Sequence, residues 1–173
     1  MNGFLLLLPF LAVRFGLLAT LNKSAIQRAG YFAPVQGYER IAYYIYQVSN
    51  TGLFLYLIFL RVRVDFSLPF YAGVLCYFLG ISLCAISILN FSSPNAIGLN
   101  VNGIYQCSRN PMYIAYFICF IGMALLTQSL ILFGIVLIFQ ISAHWMILAE
   151  ERWCLENFGE AYKKYMKKVH RYI

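Results

Sequence analysis

Residues 112–149 read MYIAYFICFIGMALLTQSLILFGIVLIFQISAHWMILA. They form two apolar runs, 112–126 and 130–149, separated only by Thr127-Gln128-Ser129. Crossing the hydrocarbon core takes roughly 20 mostly apolar helical residues, and within lipid the backbone must satisfy its own polar groups. So short a joint makes the two runs a tight antiparallel helical hairpin. Both polar ends of that hairpin then lie on one side. Residues 105–113 at one end and Glu150 and Glu151 at the other are brought together by topology alone.

Three further runs, 4–21, 41–60 and 68–89, have the same character. The expected fold is an all-α membrane protein with about five transmembrane helices and a C-terminal cytoplasmic interfacial helix. It forms one transmembrane unit: 1–89 supply the first three helices, and 90–173 a loop, the hairpin and a basic tail. Composition agrees. Of 173 residues, 62% are hydrophobic and 11% charged, with a mean hydropathy of +0.72. Soluble domains carry about 45–50% apolar and about 25% charged residues, so this chain cannot build a water-facing surface. The first run lacks a basic start and a small-x-small cleavage site and contains Arg14, so it reads as a span rather than a signal peptide. Arg14 in mid-membrane costs about 2.5–3.5 kcal/mol on insertion scales; snorkelling or pairing within the bundle accounts for it more readily than contact with a substrate.

The net charge of +7 does not describe a nucleic-acid surface. Arg152, Lys163, Lys164, Lys167, Lys168 and Arg171 crowd the tail, and the other basic residues mostly flank apolar runs. With the tail inside, Lys23, Arg28, Arg40 and Arg109 join it, leaving Arg61 and Arg63 outside, so the positive-inside rule places the C-terminus in the cytoplasm. Cys76, Cys84, Cys107, Cys119 and Cys154 show no CxxC pair and no histidine at metal spacing, so no metal is expected.

Before the fourth run, Asn110 suits an N-cap and Pro111 the first helical position, and Gly103 allows a turn. Arg109 beside that helix start favours an anion. Glu150 and Glu151 point about 100° apart on a helix, so at most one faces a given cleft. The helix is expected to run on to Phe158 and stop at Gly159, with Arg152 and Glu156 paired at i,i+4. His144 lies seven residues before Glu151, on nearly the same face, where it either packs or serves a ligand. Beyond Gly159, Tyr162, Tyr165, Met166 and Val169 fall on one face and four lysines on the other, an amphipathic basic helix for a membrane surface or for covering a cytoplasmic cleft.

The ordered set Gly103-Ile-Tyr105, Arg109-Asn-Pro-Met-Tyr113, a short hairpin, Glu150-Glu151 and Phe158-Gly159-x-x-Tyr162-x-x-Tyr165 resembles a known family. It is similar to the membrane-embedded methyltransferases that include isoprenylcysteine carboxyl methyltransferase and the phospholipid N-methyltransferases. The resemblance covers roughly residue 90 to the C-terminus. It implies S-adenosyl-L-methionine as cofactor, held by Ile97, Gly98, Leu99 and Asn100, by Tyr105, by Arg109, Asn110, Pro111, Met112 and Tyr113, and by Glu150 with Glu151 beside it. Two positions depart from the pattern. Asn110 replaces the family's usual histidine. Met146 stands where the prenylcysteine enzymes carry a substrate-contacting arginine, four residues before the glutamate, so an amine lipid becomes as suitable an acceptor as a prenylcysteine carboxylate. His144 and Met146 are then candidate substrate contacts, with His144 a candidate proton acceptor.

The resemblance thus implies a methyltransferase acting on a lipid or lipidated acceptor from the bilayer, with no nucleic acid and no metal. Methyl transfer is a one-step displacement that needs alignment and a dry site rather than a catalytic triad. The rival reading is a non-catalytic helical scaffold or an inactive relative. A transporter is disfavoured because the sequence shows no internal repeat.

Overall fold

The computed structural model describes residues 1–21, 28 and 33–173; Lys23 lies outside them. Five helices carry the described chain: α1 (Gly3–Leu21), α2 (Glu39–Phe59), α3 (Leu68–Phe91), α4 (Pro111–Thr127) and α5 (Leu130–Lys168), with a 3-10 turn at Gly103–Gln106 before α4. Three of them, α1, α3 and α5, are long and apolar enough to cross a membrane, which makes this a multi-pass membrane protein; α4 is apolar but shorter, at 17 residues. Large apolar side chains on outward faces, among them Leu75 and Phe78 of α3 and Ile138 and Ile141 of α5, are exposed. Water would penalise such a surface, and lipid would not.

Helix α1 begins as a 3-10 turn over Gly3–Leu6, with Asn2 accepting a hydrogen bond from the Phe4 N–H at 2.8 Å. It loosens into a π-helical segment over Ala12–Leu17, which contains Arg14. Phe10 inserts its ring edge-on against Tyr116 and Phe120 of α4, with centroids 5.5 and 5.1 Å apart.

The hairpin joint is as short as the sequence requires. Gln128 takes a left-handed conformation (φ +49°), and Ser129 caps α5 by accepting from the Leu132 N–H. Yet the two hairpin helices pack more on other neighbours than on each other: α4 lies chiefly along α3, and α5 along α2. Glycines bring α3 and α4 close. A Cβ at Gly122 would lie 2.5 Å from the Tyr77 backbone nitrogen, and one at Gly73 would lie 2.9 Å from that of Leu126. Small residues let membrane helices approach backbone to backbone in this way. Along α2 and α5, Tyr46 stacks on Phe139 with centroids 4.8 Å apart.

As expected, Gly159 ends the first helical part of α5: at φ +51°, ψ −125° it is non-helical, and a second helical part follows it to Lys168. One sequence expectation needs correction here. Arg152 does not pair with Glu156 but with Glu39 at the start of α2, at 2.6 Å, and also donates to the Pro34 carbonyl. A guanidinium reaching across to another helix finds a more enclosed carboxylate than the exposed Glu156 beside it.

Candidate active site

The segment leading into α4 is fixed from below and above. Asn90, at the end of α3, accepts a hydrogen bond from the Ile104 N–H at 2.8 Å, and Gly103 (φ +57°) lies directly over its amide. A Cβ at position 103 would overlap that side chain in a conformation that L residues rarely adopt. Gly103→Ala should therefore lose about 1–3 kcal/mol of stability, read as a lower Tm in detergent; an unchanged Tm would contradict this account of the turn.

From above, the tail covers the same segment. Tyr162, Tyr165 and Val169 cluster with Leu99, and the Tyr165 hydroxyl donates to the Tyr105 carbonyl. The apolar face of the tail is thus spent on the protein, while Lys163, Lys164, Lys167 and Lys168 face outward. Burial pushes the Tyr105 and Tyr165 hydroxyls well above their usual range, so both remain neutral donors.

Glu151 binds the two layers together. Its Oε1 accepts from Arg109 Nε and Nη2 at 3.0 and 2.8 Å, and its Oε2 from Arg171 Nε and Nη2 at the same distances. Arg109 Nη1 also donates to the carbonyls of Met166 and Val169. Glu151 is only 4% exposed, and forked guanidinium–carboxylate contacts of this kind are strong and directional. Asn110 holds the N-cap position of α4 but makes no side-chain cap. Its amide donates instead to the Arg171 carbonyl at 3.1 Å, and Ser108 accepts from its backbone N–H.

Glu150 points elsewhere, as the 100° step between adjacent helical residues requires. It accepts a 2.6 Å hydrogen bond from the Tyr113 hydroxyl and faces a cavity of about 620 Å³. Gly98, Leu99, Asn100, Tyr105, Arg109, Asn110, Pro111, Met112, Tyr113, Glu150 and Glu151 all line that cavity. Asn100 Oδ1 is buried with no hydrogen-bond donor among the described residues.

Three expected residues fall outside the lining. Ile97 is exposed; Met146, 2% exposed, sits in the helical core; and His144 is engaged by the Tyr172 hydroxyl at 2.7 Å from its Nδ1. Other lining residues were missed. Tyr46 and Tyr116 look like ordinary helix packing in sequence, and Trp153 sits just beyond the acidic pair. Arg14 also lines the cavity, and its charge within an apolar run is the one sequence signal for it.

Residues 90–161 match the family model for phospholipid methyltransferases. The matched stretch starts at the asparagine beneath the Gly103 turn and ends just past the bend at Gly159. No curated protein and no solved structure matches the chain.

Proposed function

We propose that this membrane protein, whose residues 90–161 match the phospholipid methyltransferases, is an S-adenosyl-L-methionine-dependent methyltransferase acting on a lipophilic acceptor from the bilayer. The observation that carries the reading is the cavity itself: about 620 Å³, walled by the 98–100 loop, the start of α4 and Glu150, and roofed by the tail. Small-molecule sites usually enclose roughly 300–1,000 Å³, with few polar groups set among apolar and aromatic walls.

The residues present fit the cofactor. Glu150, held by Tyr113, suits an ammonium. The free N–H groups at the start of α4 suit a carboxylate. The buried Asn100 Oδ1 suits a hydroxyl or amine donor, and tyrosine faces tolerate a sulfonium. When bound, the cofactor supplies an electrophilic methyl group. The chain's part is to align the acceptor with it and to exclude water, which the tyrosine-rich wall and the tail over it would do. In this reading Arg109 is a positioning residue, because it spends its donors on Glu151 and the tail carbonyls. The reading includes five spans with the C-terminus in the cytoplasm, where the basic tail favours it.

Calorimetric titration of the detergent-solubilised protein with S-adenosylhomocysteine tests this. Saturable binding is expected, and none at millimolar ligand would leave only the scaffold reading. Glu150→Ala should weaken binding tenfold or more, while Glu156→Ala, on the exposed face, should not. Equal effects from the two would remove Glu150 from the site.

A further inference from the structure

We propose that Arg14 is the docking cation for an acidic oxygen group, a phosphate or a carboxylate, carried by the lipid acceptor. The proposal rests on the methyltransferase reading for the word acceptor, and it names the chemical class that reading leaves open.

Arg14 is a charge in the middle of an apolar helix with almost nothing to bind. Its guanidinium lies over the Tyr116 ring at 5.1 Å from the centroid and beside Phe15 at 5.8 Å. Its hydrogen bond, from Nη1 to Met112 Sδ at 3.7 Å, goes to a thioether, a weak acceptor. A guanidinium has five N–H donors. Among the described residues, which include every Asp and Glu of the chain, no carboxylate lies within salt-bridge distance of it. The contrast with the other enclosed arginines is sharp: Arg109, Arg152 and Arg171 each meet a carboxylate. Arg28, which also lines the cavity, donates to the Phe91 carbonyl at 3.0 Å.

An intramembrane arginine is expensive, so it normally faces a partner or a polar cavity. Arg14 lines the cavity, and it belongs to the π-helical segment Ala12–Leu17. Such segments interrupt α-helices frequently at functional sites.

Position selects the acceptor over the cofactor. Neighbouring Ala12, Phe15 and Gly16 are exposed on the outer face of α1, so this wall borders the bilayer. Glu150 and the 98–100 loop approach from the hairpin's polar end. The cavity therefore presents, from its lipid-side wall, a cation with no carboxylate within salt-bridge distance and, from the other, Glu150, which feels that charge across the space. Phosphate and carboxylate oxygens both match the planar fork of a guanidinium.

The test is retention of defined lipids by delipidated full-length protein in native mass spectrometry, with cofactor binding measured in parallel. Phosphatidylethanolamine supplies a phosphodiester, S-farnesylcysteine a carboxylate, and diacylglycerol no anion. Wild type should retain at least one of the first two tenfold or more over diacylglycerol, and the one retained assigns the acidic group. Arg14→Leu and Arg14→Gln should abolish that preference, and Arg14→Lys should keep part of it. All three should still bind S-adenosylhomocysteine saturably, which shows that they fold. If the Arg14 variants keep the lipid preference, the proposal falls, whatever their cofactor affinity. If wild type shows no preference, it falls as well. Failure of wild type to bind S-adenosylhomocysteine would overturn the methyltransferase reading, while the lipid comparison would still decide whether Arg14 docks an anion.

Discussion

Glu151→Ala should destabilise the protein by about 3–5 kcal/mol, the usual result of removing one partner from a buried ion pair. Two guanidiniums converge on this carboxylate, and the Arg109 and Glu151 side chains are 7% and 5% exposed. Alanine would strand both cations at once, and the desolvation already suffered by Arg109 would go uncompensated. The damage should localise. Arg109 and Arg171 tie the start of α4 to residues 166–171, so the tail should lift from Leu99 before the helices separate. A large fall in Tm together with new proteolytic cleavage beyond residue 158 is the expected pattern. Glu156→Ala should stay within about 0.5 kcal/mol of wild type. The neighbouring Glu150→Ala should show the converse, weak binding of S-adenosylhomocysteine with Tm nearly unchanged. A Glu151→Ala protein that melts with wild type would show that the carboxylate is not the tie described here.

Gly122→Ala should be nearly as damaging, for a reason unrelated to charge. Its new methyl would lie 2.5 Å from the Tyr77 nitrogen and 2.7 Å from the Tyr77 Cα. Backbone atoms inside a helix cannot turn aside as a flexible side chain can, so α3 and α4 would have to separate. Overpacking costs about 1–3 kcal/mol, occasionally more, and here the separation also opens contacts along the rest of the seam. Gly134→Ala on α5 is the matched control, since a Cβ there meets nothing within 4 Å. Relief of glycine's poor helix propensity should stabilise it by up to about 1 kcal/mol. The two alanines should move Tm in opposite directions, and a shift of the same sign in both would refute the seam as described.

The helical layout and the meeting of residues 105–113 with Glu150 and Glu151 were legible because they depend on local quantities. Apolar run length fixes the helices, and a three-residue joint fixes the hairpin. The division of labour between the two glutamates was not legible. Adjacent positions differ only in which face they share, and that choice is made by Arg109 and Arg171 from elsewhere in the chain. The i,i+4 spacing pairs Arg152 with Glu156, whereas folding supplies Glu39 across the bundle. Asn110 has the right residue type for a cap, but the Arg171 carbonyl claims its amide. His144 and Met146 fell away from the cavity because the face they occupy points to the tail and to the core. In each case a long-range contact overrode a sound local preference.

The bend at Gly159 has a consequence for what the chain tolerates between Glu151 and its tail. Both lie on α5, whose two helical parts meet directly at the non-helical Gly159. At 1.5 Å per residue the part before Gly159 alone is about 44 Å, longer than the ~30 Å of hydrocarbon to be crossed. No loop separates the part that traverses the bundle from the part that covers the cavity, so their relative phase is set by residue count. One residue inserted between Glu151 and Gly159 would rotate everything beyond it by about 100°. Tyr162 and Tyr165 would swing off Leu99, and the lysines would turn toward the cavity. Substitutions on this stretch's exposed face should be absorbed easily, whereas a change of length by a single residue should not.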